Sequence, residues 1–165
     1  MNILVYGGTG RVGSAIVAEA VDRGHDVIVV SRHEPSGALP AGATWRRGDA
    51  ADTASVAKAA TDADAVVSAL GPSRDPDGDP FAFAAIVRGL ADSVGATRLV
   101  VVGGAGSLLA APAGDTLGSQ APLVRLVDTP DFPEIYRTEA LASAEALEVL
   151  RGITAINGRP SIRAK

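Results

Sequence analysis

The sequence predicts an α/β fold, a doubly wound parallel sheet in three αβα layers forming a single domain. Three observations carry this. Short apolar runs alternate with segments of helical period, and the first run opens directly into a glycine cluster. Aromatic residues make up only 4% of a chain that is 47% hydrophobic, so its core must be built from Ala, Val, Leu and Ile, the residues of strands buried on both faces. At 165 residues the chain is long enough for one real core and short for separate cofactor and substrate domains.

The first run, Asn2-Ile3-Leu4-Val5-Tyr6, leads into Gly7-Gly8-Thr9-Gly10-Arg11-Val12-Gly13. These glycines satisfy G-x-x-G-x-x-G from Gly7 and G-x-G-x-x-G from Gly8, and either spacing lets backbone N–H groups approach a pyrophosphate. A helix follows, with Val12, Ile16, Val17 and Ala20 on one face, and its positive N-terminal end points at the same anion. It stops at Asp22-Arg23-Gly24-His25, where Gly24 suits a left-handed cap, and Val27-Ile28-Val29-Val30 forms the next strand. Strand, glycine turn, helix and strand within about thirty residues is the βαβ context that makes the glycine pattern a dinucleotide fingerprint.

An NAD-type site places Asp or Glu at the end of the second strand, to hold the ribose 2′-hydroxyl. Here Ser31-Arg32 stands there, a hydroxyl and a guanidinium that suit a 2′-phosphate, so NADP is expected in preference to NAD. The competing reading makes Arg32 a solvated loop residue, and Glu34 nearby keeps it open, as an exposed loop position does for His33.

Ala43 to Asp49 reads as a third strand ending in Gly48-Asp49, and a helix from about Asp52 to Ala60 follows, with Asp52 or Thr53 as cap. Asp49 either accepts a hydrogen bond from an adenine amino group or only begins the turn. Ala63 to Pro72 is a fourth strand, and its end, Ala69-Leu70-Gly71-Pro72, falls at the carboxyl edge of the sheet, where ligands of open α/β folds collect. Ser73 to Pro80 is a polar loop; Phe81 to Val94 is a helix with Phe83, Ile86, Val87 and Leu90 as core. Thr97 to Val102 makes a fifth strand that opens into Gly103-Gly104-Ala105-Gly106-Ser107, where Gly104 permits a flat ring close to the backbone. Leu108 to Phe132 shows no clear period and is expected to wall a substrate pocket. Pro133 at an N1 position starts a helix through Tyr136 to about Gly152, and Ile153 to Ile156 is a last strand.

Composition excludes several classes of function. Cysteine is absent and there are two histidines, which removes disulfides, thiolate sites and most metal chemistry. A net charge of -4 gives no nucleic-acid or anionic-membrane surface. With no basic leader before the first strand and no apolar run long enough to span a bilayer, a cytoplasmic protein is expected, with a small-molecule substrate and its oligomeric state open.

With these pieces placed, the chain resembles the atypical short-chain dehydrogenase/reductase superfamily, in particular its small NAD(P)H-binding branch of NADH-flavin reductase-like proteins, similar to biliverdin IXβ reductase. The resemblance is carried by Gly7 to Gly13, Gly48-Asp49, Ser68 to Pro72, Val102 to Leu108 and Asp128 to Pro133. It implies a Rossmann-like fold spanning 1–165, a nicotinamide cofactor held by Gly7, Thr9, Gly10, Arg11, Val12, Gly13, Ser31, Arg32, Asp49, Ala69, Leu70, Gly71, Pro72 and Gly104, and flavin or a similar planar acceptor.

Two departures stand out. The superfamily's Tyr-x-x-x-Lys pair, in which lysine lowers the tyrosine pKa, is missing, because Tyr136 is followed four residues on by Ala140. Tyr136 therefore suits packing or pocket lining better than proton transfer, and Ser107, the other catalytic candidate, has no base beside it in sequence. The family also continues past Arg159-Pro160 with elements on the substrate side, so this chain is expected to be short or missing there. An NADPH-dependent reductase is the leading expectation, with a non-catalytic NADP sensor of the same fold as the alternative.

Overall fold

The computed structural model describes residues 1–73, 79–111 and 122–157, with side chains through Ile153. The chain divides into two compact units, Met1–Leu70 with Ile86–Val102, and Gly71–Ala85 with Gly103–Lys165.

The first unit is one parallel sheet of β1 (Asn2–Tyr6), β2 (Asp26–Ser31), β3 (Ala43–Arg47), β4 (Ala65–Ser68) and β5 (Arg98–Val101), in the order β3-β2-β1-β4-β5. Each strand ends near the residue where its apolar run gives way to glycine or polar residues. Because β1 pairs with both β2 and β4, the chain reverses its direction of travel across the sheet between them. The first unit thus has the Rossmann-like doubly wound order, and its switch point lies at the ends of β1 and β4.

Strand alternation distributes the side chains to two faces. Val5, Val27 and Val29 pack against Val17 and Ala20 of α1 (Arg11–Asp22). Leu4, Tyr6, Val30 and Val66 face Val56, Ala59 and Ala60 of α2 (Thr53–Ala60), together with Leu90 and Val94, the former on α3 (Ala82–Ser93). Helices on both faces require apolar residues at successive positions of β1, and the unbroken run at its start reflects this. Fully burying one such valine or leucine contributes about 1.5–3 kcal/mol.

The helix ends follow their local chemistry. Gly24 takes φ +76°, and the N–H groups of Gly24 and His25 donate to Val21 O and Ala20 O, a Schellman closure of α1. Asp52 caps α2, its Oδ1 accepting from the N–H of Ala54 and of Ser55 at 3.1 Å each.

The second unit holds a two-stranded antiparallel ribbon, β6 (Leu109–Ala110) and β7 (Val124–Arg125), three short 3-10 turns, and the helix α4 (Arg137–Asn157). Sequence expectation needs three corrections here. The stretch from Leu108 to Phe132 is not structureless, since Leu109 and Ala110 pair with Arg125 and Val124. Pro133 caps a 3-10 turn over Glu134–Tyr136, and α4 begins only at Arg137. Ile153 to Ile156 is not a strand but the end of α4. Gly152 lacks the positive φ that would have stopped the helix, so the intrahelical ladder outcompetes the β preference of Ile-Thr-Ala-Ile. Most of the polar loop 74–78, the stretch 112–121 and the tail 158–165 lie outside the described residues.

Candidate nucleotide site

The loop after β1 is shaped by glycines with separate duties. Gly7 turns with φ +76°, and a β-carbon there would fall 2.8 Å from the carbonyl oxygen of Ala69. The segments leaving β1 and β4 therefore run against each other at the switch point, and the N–H of Ala69 donates to Tyr6 O at 2.9 Å. Gly8 is buried beneath the loop, where a β-carbon would meet Val29 at 3.0 Å and Val17 at 3.2 Å. Gly13 brings α1 onto the loop so closely that a β-carbon would lie 2.1 Å from Gly7 O.

Gly10 differs from these. It is exposed, takes an ordinary φ of -78°, and a β-carbon on it would meet only Gly7 O, at 3.3 Å. The backbone conformation does not require glycine there, and the packing around it is tight without the clash that Gly7 and Gly13 would meet. Gly10 is the N-cap of α1 and offers no side-chain cap, and the first turn carries no acidic residue. The contrast with α2 is direct: there Asp52 caps the helix end, whereas α1 has no side-chain cap. Thr9, Arg11 and Val12 stand at that end of α1 and are all exposed.

At the end of β2, Arg32 is exposed at the apex of a tight turn. Ser31 Oγ donates to His33 O at 2.6 Å and accepts from the indole N–H of Trp45 at 2.9 Å. Trp45 had no place among the sequence candidates. Its signal was that the only tryptophan of an aromatic-poor chain stands on an edge strand. Asp49 is exposed, and its Oδ1 accepts from Ala51 N–H at 3.0 Å, so it does at least begin the turn before α2. Behind this edge Tyr6 is buried, which raises its pKa; the nearby Arg46 opposes that rise, and the carboxylates of Asp49 and Asp52 add to it.

Ala69 and Leu70 belong to the first unit, half-buried just beyond β4. The remaining candidates fall in the second unit. Gly71 is exposed and Pro72 buried. A β-carbon on Gly104 would fall 2.9 Å from Ser143 Cβ, and one on Gly106 2.7 Å from Ala140 Cβ, so these two glycines seat their turn against α4. Ser107 Oγ donates to Gly104 O at 3.1 Å, within its own turn. Tyr136 lies 58% exposed on its 3-10 turn, and Ala140, where the lysine of a Tyr-x-x-x-Lys pair would stand, is buried. Neither candidate hydroxyl has a hydrogen-bonded base among the described residues. In the same unit Arg137 ties together Val127 O, Phe132 O and Glu134, and lies over the Phe132 ring. Arg125 forms two hydrogen bonds to Asp128, which hold that carboxyl below its usual pKa.

Residues 7–148 match a protein family described as NAD(P)H-binding. The chain belongs to this NAD(P)H-binding family. A nicotinamide dinucleotide is accordingly its cofactor. The family likeness extends to YwnB of Bacillus subtilis, 31% identical over 157 residues, which are 95% of this chain and 68% of that protein. Among solved structures, a Streptococcus pneumoniae protein provisionally named NADH-flavin reductase is 34% identical, with a TM-score of 0.71, covering 92% of this chain and 66% of that one. A Bacteroides thetaiotaomicron protein provisionally named an epimerase is 30% identical, with a TM-score of 0.69, covering 89% of this chain and 62% of that one. The chain thus spans about two thirds of these relatives' length. No helix among the described residues is long and apolar enough to cross a membrane.

Proposed function

We propose that this NAD(P)H-binding protein is a cytoplasmic, NADPH-dependent reductase whose acceptor is flavin or a small planar molecule of that kind. The observation that carries the reading is the uncapped N-terminus of α1 over a bare Gly10, beside an α2 that caps itself. The loop from Gly7 to Gly13 binds the pyrophosphate through backbone N–H groups, and the dipole of α1 adds to the attraction. Arg32 pairs with the 2′-phosphate. Ala69 and Leu70, at the switch point beside Gly7, line the start of the nicotinamide side.

The bound nicotinamide supplies the hydride. What the chain must add is orientation and exclusion of water. No proton-transferring pair is needed for a flavin acceptor, and this agrees with Ser107 and Tyr136 having no hydrogen-bonded base among the described residues. The same fact favours a second reading, a protein that binds NADP and reports its state without turnover.

The test mixes purified protein with NADPH and FMN under low oxygen, and follows nicotinamide absorbance alongside thermal unfolding with NADP or NAD. Oxidation above the protein-free rate with greater stabilisation by NADP is expected. Stabilisation without oxidation would replace the reductase with the sensor, and no stabilisation by either nucleotide would refute both.

A further inference from the structure

We infer that Trp45 and Ser31 are positioning residues for the 2′-phosphate, acting through Arg32 and not by touching the nucleotide. The inference rests on the NADP reading above and names the device that would enforce it. An indole N–H only donates and a carbonyl only accepts, so the chain of bonds has one direction: Trp45 Nε1–H to Ser31 Oγ at 2.9 Å, then Ser31 Oγ–H to His33 O at 2.6 Å. The single hydroxyl proton of Ser31 is thereby committed. A phosphate dianion takes donors, and Ser31 has none left to offer it.

What the relay does is close the turn across Arg32. The Ser31 hydroxyl bridges to the carbonyl two residues on, with Arg32 between. The same turn is held from the residue just beyond β3, where the N–H of Gly48 donates to Ser31 O at 3.0 Å. Gly48 can do so because it lacks a side chain, since a β-carbon there would lie 2.7 Å from Val30 Cγ1. Trp45 pairs in register with Val29 and reaches along the strands to the residue two further on. Three hydrogen bonds thus brace a turn whose apex residue is an exposed arginine. Consecutive bonds polarise one another, and a braced turn loses less entropy when its guanidinium engages an anion.

The test titrates NADPH and NADH separately, by nucleotide fluorescence, into the wild type and into Trp45→Phe, Ser31→Ala, Ser31→Thr and Arg32→Gln. Trp45→Phe and Ser31→Ala are each expected to weaken NADPH about fivefold, the worth of one neutral hydrogen bond, with NADH unchanged. Ser31→Thr, which keeps the hydroxyl, is expected to restore NADPH binding. Equal losses for both nucleotides, or no loss with Ser31→Ala while Arg32→Gln is impaired for NADPH alone, would overturn the positioning role. Unchanged NADPH binding in Arg32→Gln would overturn the 2′-phosphate reading itself. If Trp45→Phe fails to fold, the Ser31 pair decides.

Discussion

A β-carbon on Gly13 would stand 2.1 Å from the carbonyl oxygen of Gly7, against a backbone atom that cannot swing aside. Gly13→Ala is therefore expected to destabilise the fold by about 3 kcal/mol or more, since loop and helix must part to admit a methyl group. Denaturant unfolding without nucleotide measures this, and a variant as stable as the wild type would mean that the loop yields easily.

Gly10→Ala should separate binding from stability. Its β-carbon would be tight against the Gly7 carbonyl oxygen, at 3.3 Å, a contact that a shift of a few tenths of an ångström relieves, and its backbone is unstrained. We expect apo stability within about 1 kcal/mol of wild type and nucleotide affinity at least about tenfold weaker, because the methyl group stands where phosphate must approach. Titration calorimetry with NADPH measures the affinity, and unchanged binding would remove the pyrophosphate from this helix end.

Ser68 is fully buried on β4, and its hydroxyl has no hydrogen-bond partner among the described residues. Ser68→Ala removes a desolvated hydroxyl and leaves the shape nearly intact, so stability should rise by about 1 kcal/mol. A lower melting temperature would show that the hydroxyl does satisfy a bond in solution.

Tyr6 makes the alkaline limb of stability testable. Burial raises its pKa in the fold, so the native state holds the phenol proton more tightly than the unfolded chain. Its contribution is complete below the unfolded value of about 10 and is lost as pH rises through the higher folded value. Tyr6→Phe should flatten the fall in stability above about pH 10. An equally steep fall in the variant would assign it to other groups.

Tyr136 is exposed and has no lysine partner at Ala140. Tyr136→Phe is expected to keep turnover with NADPH and FMN within about twofold of wild type. A loss of about a thousandfold would make the hydroxyl a proton donor after all.

The elements legible in the sequence are those whose cause is local. Gly24 caps α1 because a left-handed residue is needed within one turn of the helix end, and Asp52 caps α2 because its carboxylate reaches N–H groups two and three residues on. The apolar runs mark β1, β2, β4 and β5 for the same reason. The second unit was less legible. The ribbon of β6 and β7 is only two residues wide on each side, too short for a period to register, and Ile153 to Ile156 carries strand-forming residues that α4 nonetheless absorbs.

By itself, then, the sequence determined the order of the strands of the first unit and their parallel sheet, because hydrophobic period and glycine spacing act over a few residues. Only the tertiary structure decided what each glycine is for. Gly8, Gly13, Gly104 and Gly106 make room for other protein atoms, whereas Gly10 has only the Gly7 carbonyl oxygen near its β-carbon position, a distinction set by neighbours such as Val29, Ser143 and Ala140. It also decided that Trp45 reaches Ser31, a bond across 14 residues that exists because β2 and β3 lie side by side in register. Contacts of this kind depend on which strands become neighbours, and that is a property of the folded sheet, absent from any single segment.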